Sequence, residues 1–250
     1  MSVEAPNHIK FSAITDSKHT FSKHDSQLFQ RQFRSEVSHY STRTDFQPKS
    51  PTKDIQWLEY SHGHQQDSDH ALSKLKQDHQ PTLLKLSNPK HHTLTTLFSA
   101  LPNHKNVQHL IIRNANFHHQ HAQQVARLLQ LNDGIAWLVL DHNKIDDRGI
   151  RHIANGLEEN ISVKHAIFSD NDFGNDGAKA LANALKKNDS LESLFIQGNE
   201  IYDAGMEAII QALPDAKQLT VIDVRDTPIS QRTAQKLQSV CNQYAIRCHV

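Results

Sequence analysis

Asn143, Asn171 and Asn199 stand twenty-eight residues apart, each closing the same short apolar pattern, and this period constrains the fold more than any other feature of the chain. The unit is clearest at Leu191, Leu194, Ile196, Asn199 and Ile201, which spell LxxLxLxxNxI. The same offsets hold at Val107, Leu110, Ile112, Ala115 and Phe117, then at Ile135, Leu138, Leu140, Asn143 and Ile145. They hold again at Val163, Ala166, Phe168, Asn171 and Phe173, and at Leu219, Ile222, Val224, Thr227 and Ile229. Behind each pattern comes an apolar triplet: Ala122/Val125/Leu129, Ile150/Ile153/Leu157, Ala178/Leu181/Leu185, Met206/Ile209/Leu213 and Ala234/Leu237/Cys241. Spacings of three and four residues place each triplet on one helix face. No unit of one strand and one helix can bury both apolar faces alone, so the units stack in line and share one core.

Within the unit, the Asn amide offers both a donor and an acceptor to the backbone of an otherwise unpaired bend. Ala115 and Thr227 interrupt this ladder in the first and last strict units. Asp147, Asn175 and Asp203 follow two residues after the final apolar position and are expected to cap the N-termini of their own helices. Gly149, Gly177 and Gly205 come two residues later, where close backbone packing is expected.

This pattern resembles the ribonuclease-inhibitor subtype of leucine-rich repeat, over residues 107–241. The resemblance implies an α/β fold: a right-handed solenoid in a short horseshoe, with parallel strands on the concave face and helices on the convex face. It also implies binding of other proteins, with some members of the subtype regulating GTPases or actin. Leu84, Leu86 and the stretch from Thr93 to Leu101 read as one further, degenerate unit. The repeat domain therefore spans 81–250, with the degenerate repeat at about 81–106 and five strict repeats at about 107–243. Ile246, Cys248 and Val250 alternate, as a closing edge strand would.

Residues 1–80 carry no repeat, are rich in Ser, His, Gln and Asp, and balance ten basic against ten acidic side chains. Such a composition reads as a polar, largely flexible arm. Two short helices are expected in it. One covers 25–40, where Phe29, Phe33 and Val37 recur every four residues, flanked by Leu28 and Tyr40, with Arg31 and Arg34 pointing elsewhere. The other covers 68–77, where Ala71, Leu72 and Leu75 share a side and sit close enough to cap the first repeat. The opening MSVEAPNHIKFSA lacks the apolar run of a secretory leader, and no stretch approaches eighteen apolar residues, so neither a signal peptide nor a membrane span is expected.

Zero formal charge and a pI near 7.4 argue against a nucleic-acid partner, which needs a basic face. From 107 to 250 there are 14 Lys or Arg against 17 Asp or Glu, a slight bias towards a basic partner. Cys241 takes a helix position held by Leu in other repeats, so it reads as a small core residue and not, with Cys248, as a disulfide framework. Nineteen histidines cluster most densely at Ser61 to His70 and at His118 to His121, but neither cluster holds a Cys or four convergent ligands, so no metal is assigned. His119 falls instead at a helix start. The chain lacks a phosphate loop, a nucleophile elbow and an HExxH helix, so it is read as non-catalytic, without cofactor.

Strand alternation maps the concave face. One column is Ile111, Val139, Ile167, Phe195 and Asp223, and beside it runs His109, Trp137, His165, Ser193 and Val221. On the other side come Arg113, Asp141, Ser169, Gln197 and Arg225, then Asn114, His142, Asp170, Gly198 and Asp226 at the strand ends. An apolar centre of Trp137, Val139, Ile167 and Phe195, edged by His165, Gln197, Asp141, Asp170, Arg113 and Arg225, has the layout of a protein interface. Strand propensity alone accounts for exposed Ile and Val, less well for Trp and Phe. A third reading has the arm folding back over the stripe. The expected function is binding of a protein ligand there by a monomeric cytoplasmic protein. The His, Gln and Lys bias of a short array beside a polar arm also resembles bacterial leucine-rich-repeat effectors delivered into the host cytosol. The alternatives are a GTPase activator, for which Arg113 and Arg225 are the concave arginines, and an actin-capping protein similar to tropomodulin.

Overall fold

The computed structural model describes the backbone of residues 57–61 and 83–250 except His118. The helices expected at 25–40 and 68–77 lie outside the described residues. Among the described residues, eight strands form one sheet in strict chain order, every neighbouring pair parallel. They are β1 (Trp57–Ser61), β2 (Leu83–Ser87), β3 (His109–Arg113), β4 (Trp137–Val139), β5 (His165–Ile167), β6 (Ser193–Phe195), β7 (Val221–Asp223) and β8 (Arg247–His249). Six described helices alternate with the strands from β2 onward: α1 (His91–Ala100), α2 (His119–Leu131), α3 (Asp147–Glu158), α4 (Asn175–Lys187), α5 (Asp203–Ala212) and α6 (Gln231–Gln243). The chain is an α/β leucine-rich-repeat solenoid. β1 extends the sheet into the stretch read as arm.

The twenty-eight-residue period becomes spatial register, since Trp137 pairs with His165, His165 with Ser193 and Ser193 with Val221. One face of the sheet packs on the helices. Leu110, Leu138, Ala166, Leu194 and Ile222, with Ile112, Leu140, Phe168, Ile196 and Val224 two residues on, share a continuous core with the apolar stripes of the helices. Each strand is short because the chain turns away after it through a residue of positive φ: Asn114, His142, Asp170, Gly198 and Asp226. There an L side chain is tolerated best when it is Asn or Asp, and glycine without penalty. The turn faces the next unit's carbonyls: His142 N–H donates to Ser169 O at 3.1 Å, Asp170 N–H to Gln197 O at 2.9 Å and Gly198 N–H to Arg225 O at 3.0 Å.

Buried Asn side chains stitch the bends together. Asn171 Nδ2 donates to the carbonyls of Leu140, Phe168 and Ser169, each at 3.0 Å, while its Oδ1 accepts from Ile145 N–H at 3.1 Å. Asn143 works similarly, between Ala115 N–H and the carbonyls of Ile112 and Asp141. Asn199 Nδ2 reaches Phe168, Ile196 and Gln197.

A second Asn ladder, at Asn132, Asn160 and Asn188, was missed in the sequence although it has the same period. Asn160 Nδ2 donates to Leu129 O and Asn132 O, and its Oδ1 accepts from Ser162 and Val163 N–H. Asn188 repeats this one unit on, reaching Leu157 O at 2.6 Å and Asn160 O at 2.8 Å. These residues tie each helix end to the preceding helix end and to the entry of the next strand. In the flanking units the equivalent positions are His104 and Ala216, and there short 3-10 turns, Leu101–Asn103 and Leu213–Asp215, close the helix with a proline inside. The apolar pattern drew attention to the first ladder, and only the hydrogen bonds distinguish the second from ordinary helix-end asparagines.

The helix caps correct the sequence reading. Asp147, Asn175 and Asp203 are the first residues of α3, α4 and α5, and their side-chain oxygens cap the following unit instead. Asp147 Oδ1 accepts from Gly174 and Gly177 N–H at 2.8 and 2.7 Å. Asn175 Oδ1 accepts from Tyr202 and Gly205 N–H at 3.0 and 2.9 Å, and Asp203 Oδ1 from Ser230 N–H at 2.7 Å. The cap of α3 itself is Asp146, which accepts from Gly149 N–H at 2.8 Å. This arrangement explains one of the glycines: a Cβ on Gly205 would lie 2.7 Å from Asn175 Oδ1 and 2.8 Å from Asn175 Cα. Removing a cap of this kind costs about 1 kcal/mol, and here two helix-start N–H groups lose their acceptor. Asp147→Ala is accordingly expected to lower stability by about 1–2 kcal/mol in urea titrations, with hydrogen exchange accelerated at the start of α4 and not of α3.

Candidate functional site: the helix-free face of the sheet

The sheet face opposite the helices carries its own apolar cluster: Leu83, Ile111, Trp137, Val139, Ile167, Phe195 and Val221, contributed by β2 to β7. Trp137, Val139, Ile167 and Phe195, the predicted centre of the concave face, thus stand side by side in register. Their exposure is unlike that of an open surface. Trp137 is 6 % exposed, Phe195 5 %, Val139 4 % and Ile167 3 %. The sequence assigned these positions to the helix-free side, where the reading of an open binding stripe expected them to face water.

Two histidines flank the indole. His165 packs against Trp137 with ring centroids 3.9 Å apart, and His109 stacks on its other side at 5.9 Å and 20° between planes. Burial is the main influence on both. It pushes the His165 imidazole down to about 3, helped by repulsion from His109 and Lys164, and it pushes His109 down to about 4. The trio is therefore an uncharged aromatic platform at neutral pH.

The predicted charged margin is largely self-neutralised. Arg113 Nε donates to Asp141 Oδ1 at 2.7 Å, and Asp141, fully buried, also lies 3.0 Å from His142 Nδ1. Arg225 grips the fully buried Asp223 through Nε and Nη2, the latter at 2.6 Å, and this pairing raises the guanidinium further. Asp223 is a strand residue whose importance the sequence map understated. Asp170 sits beyond the end of β5 at the left-handed turn, half-exposed, 3.5 Å from His142 Nε2. Partial burial raises its carboxyl above the ordinary range, opposed by His142 and reinforced by Asp141 and Asp226. Gln197 follows β6 and is buried. Among the described residues, Ser169 Oγ, Ser193 Oγ and Gln197 Oε1 are buried on this side without a hydrogen-bond partner. Buried polar atoms normally find one.

Chemically, the face offers apolar and aromatic contact, fixed ion pairs and unspent hydrogen-bonding capacity. Among the described residues there, Ser169 Oγ and Ser193 Oγ make no hydrogen bond to a base. Among the described residues no group of three or more His, Cys, Asp or Glu side chains converges as a metal site would. The cluster from Ser61 to His70 lies outside them beyond its first residue, while His121 turns inward and its Nε2 meets His91 Nδ1 at 2.6 Å. No described helix is long and apolar enough to cross a membrane. Cys241 is buried in the shared core as expected, and Cys248 on β8 packs against the same core.

Comparison with known proteins places this geometry. A Leucine Rich repeat family model matches residues 159–182 and 187–209. No curated protein matches the sequence. Among solved structures, leiomodin-1 actin-binding site 2 is similar with a TM-score of 0.50 and 17 % identity, covering 61 % of this chain and 85 % of that one. An internalin from Listeria monocytogenes aligns over 66 % of this chain and 67 % of its own with 14 % identity and a TM-score of 0.25. A protein from Bacteroides fragilis aligns over 93 % and 85 % with 8 % identity and a TM-score of 0.38. At 17 % identity the likeness to the leiomodin-1 fragment is one of fold. The two matched segments cover β5 with the first part of α4, and β6 with most of α5, and the sheet and helices around them continue the same solenoid from β2 to β8.

Proposed function

We propose that the protein is a non-catalytic recognition module that holds a protein ligand on the helix-free face of its sheet. The observation that supports this reading is the aromatic and aliphatic cluster of Trp137, Val139, Ile167 and Phe195, rigidly presented by adjacent parallel strands and edged by Arg113, Asp141, Asp170, Arg225, His165 and Gln197. Interfaces depend on a few such anchors, each worth about 2 kcal/mol or more when truncated. A ligand is expected to be captured by wild type and by the convex-face variant Lys186→Glu, and to be lost by Trp137→Ala/Phe195→Ala, whose combined deficit of about 4 kcal/mol corresponds to roughly a thousandfold weaker binding. Far-UV circular dichroism serves as the check that the double variant is folded, and equal recovery by all three proteins would count against the reading.

The subtype that best suits a twenty-eight-residue unit with full α-helices is the ribonuclease-inhibitor-like one. Filamentous actin is the first ligand to assay, because the leiomodin-1 fragment named for actin binding shares the fold over most of its length. Cosedimentation that Trp137→Ala/Phe195→Ala abolishes would support an actin ligand. The GTPase-activator alternative is weaker, since Arg113 and Arg225 are already held by Asp141 and Asp223 and would have to leave them to reach a phosphate. A bacterial effector acting on a host protein in the host cytosol remains the setting we infer from composition.

A further inference from the structure

The chain's two cysteines meet in the last repeat. Cys241 takes the helix position filled by Leu129, Leu157, Leu185 and Leu213, and Cys248 pairs in register with Ile222, so it takes the strand position that faces the helices. In the preceding units nine residues separate these positions, as from Leu213 to Ile222, whereas only seven separate Cys241 from Cys248. The shortcut is a tight helix ending. Ala245 adopts φ 56°, Ile246 N–H donates back to Cys241 O at 2.8 Å and Ala245 N–H to Asn242 O at 3.4 Å, the Schellman arrangement that ends a helix and reverses the chain at once. β8 therefore returns directly to the last turn of α6. There Cys241 is fully buried, and Cys248 packs against the same core while keeping part of its surface exposed. The Cys248 thiol is close enough to donate to Cys241 Sγ. That hydrogen bond outweighs burial and holds the Cys241 thiol below its usual range, and the same bond, joined by burial, pushes Cys248 up.

We propose that Cys241 and Cys248 are a thiol modification site, forming a reversible disulfide that ties β8 to α6 under oxidising conditions. Two sulfurs already in contact need only close to about 2.05 Å. A low-molecular-weight disulfide, oxidised glutathione, supplies the oxidant. The partly exposed Cys248 thiol loses its proton to solvent and attacks one sulfur of that disulfide, which releases one glutathione thiolate and leaves a mixed disulfide on Cys248. Cys241 then gives up its proton and attacks Cys248 Sγ, so that the bond between the two cysteines forms, the bond to glutathione breaks and the second thiolate leaves. Both released thiolates take up a proton. The two cysteines are oxidised, and one glutathione disulfide is reduced to two thiols. Cys241 suits the second step, because its thiol is the more acidic of the two and its burial keeps external disulfides away from it. β8 is the outermost described strand at this end of the sheet, held to β7 by bonds such as Val224 N–H to His249 O and Arg247 N–H to Thr220 O, each 2.8 Å. The crosslink adds a covalent hold to the strand that is otherwise the first to fray. In a reducing cytosol a bond of this kind is transient.

The test takes the full chain, reduced and then exposed to oxidised glutathione, through intact mass measurement and tryptic digestion without reductant. Trypsin cuts after Lys236 and Arg247, so the crosslink is read directly as residues 237–247 joined to 248–250. The expected product has lost two hydrogens, carries no glutathione and reverts with dithiothreitol. Cys241→Ala is expected to stop at a glutathione adduct on Cys248, and Cys248→Ser to remain unmodified. A wild type that retains the adduct, stays fully reduced or links two chains through Cys248 overturns the proposal. Amide hydrogen exchange of the wild type, which depends on no variant's folding, is expected to slow severalfold at Arg247, Cys248 and His249 on oxidation. Equal rates in the two states would overturn the tie between β8 and α6.

Discussion

Asn171→Ala is expected to destabilise the protein by about 3 kcal/mol or more, because it strands several buried backbone groups at once, each worth about 1–3 kcal/mol. The side chain is 5 % exposed and makes four hydrogen bonds spanning two repeats, three to carbonyls and one from Ile145 N–H. Alanine removes the whole amide, so all four of these backbone groups lose their partner at once. Thermal denaturation should show a fall in Tm of roughly 6–12 °C for a domain of this size. Asn171→Asp separates hydrogen bonding from shape. It keeps the acceptor for Ile145 but turns an anionic oxygen towards three carbonyls at 3.0 Å, so it is expected to be at least as damaging as alanine at neutral pH and to recover partly when the carboxyl is protonated. A variant at Asn171 within about 1 kcal/mol of wild type would show that the ladder is ornamental.

Lowering the pH from 7 to 4 is expected to destabilise the protein through His165 before general acid unfolding sets in. In the folded state burial against Trp137 depresses its pKa to about 3, whereas in the unfolded chain it returns to about 6.5. The unfolded state therefore binds more protons throughout that interval. The stabilisation from the uncharged imidazole is complete above pH 6.5 and is lost as the pH falls towards 3, with a slope of about 1.4 kcal/mol per pH unit for one proton. His109, pushed by burial to about 4, adds a smaller contribution with the same sign. Urea unfolding of wild type and His165→Phe across this range isolates the effect. Phenylalanine keeps the ring contact and removes the titration, so the variant's pH slope between 4 and 6 should be shallower by about 1.4 kcal/mol per unit. Parallel slopes would place a charged or solvated imidazole at position 165.

The repeat period, the assignment of strand and helix within each unit and the choice of inward residues were all legible in the chain, because stacking imposes the same local requirement on every copy. Leu110, Leu138, Ala166, Leu194 and Ile222 recur at one offset and are all fully buried against the helices. Such repetition averages out the ambiguity of any one segment. The residues that bond across repeats were legible only in part. Asn143, Asn171 and Asn199 were found because they punctuate an apolar pattern, whereas Asn132, Asn160 and Asn188 carry the same period without such a flag. The caps at Asp147, Asn175 and Asp203 were located but given to the wrong helix, since a side chain and an N–H group twenty-seven to thirty residues apart become neighbours only after stacking.

What the chain determined by itself is thus the identity and orientation of the sheet faces, since two-residue alternation and a fixed period depend on local geometry alone. Tertiary structure decided the environment of the helix-free face: the depth at which Trp137 and Phe195 sit, the depressed pKa of His165, and the closure of Arg113 and Arg225 onto Asp141 and Asp223. Solvent access and dielectric at a side chain are properties of everything packed around it, including parts of the chain distant in sequence, and no pattern within a single repeat encodes them.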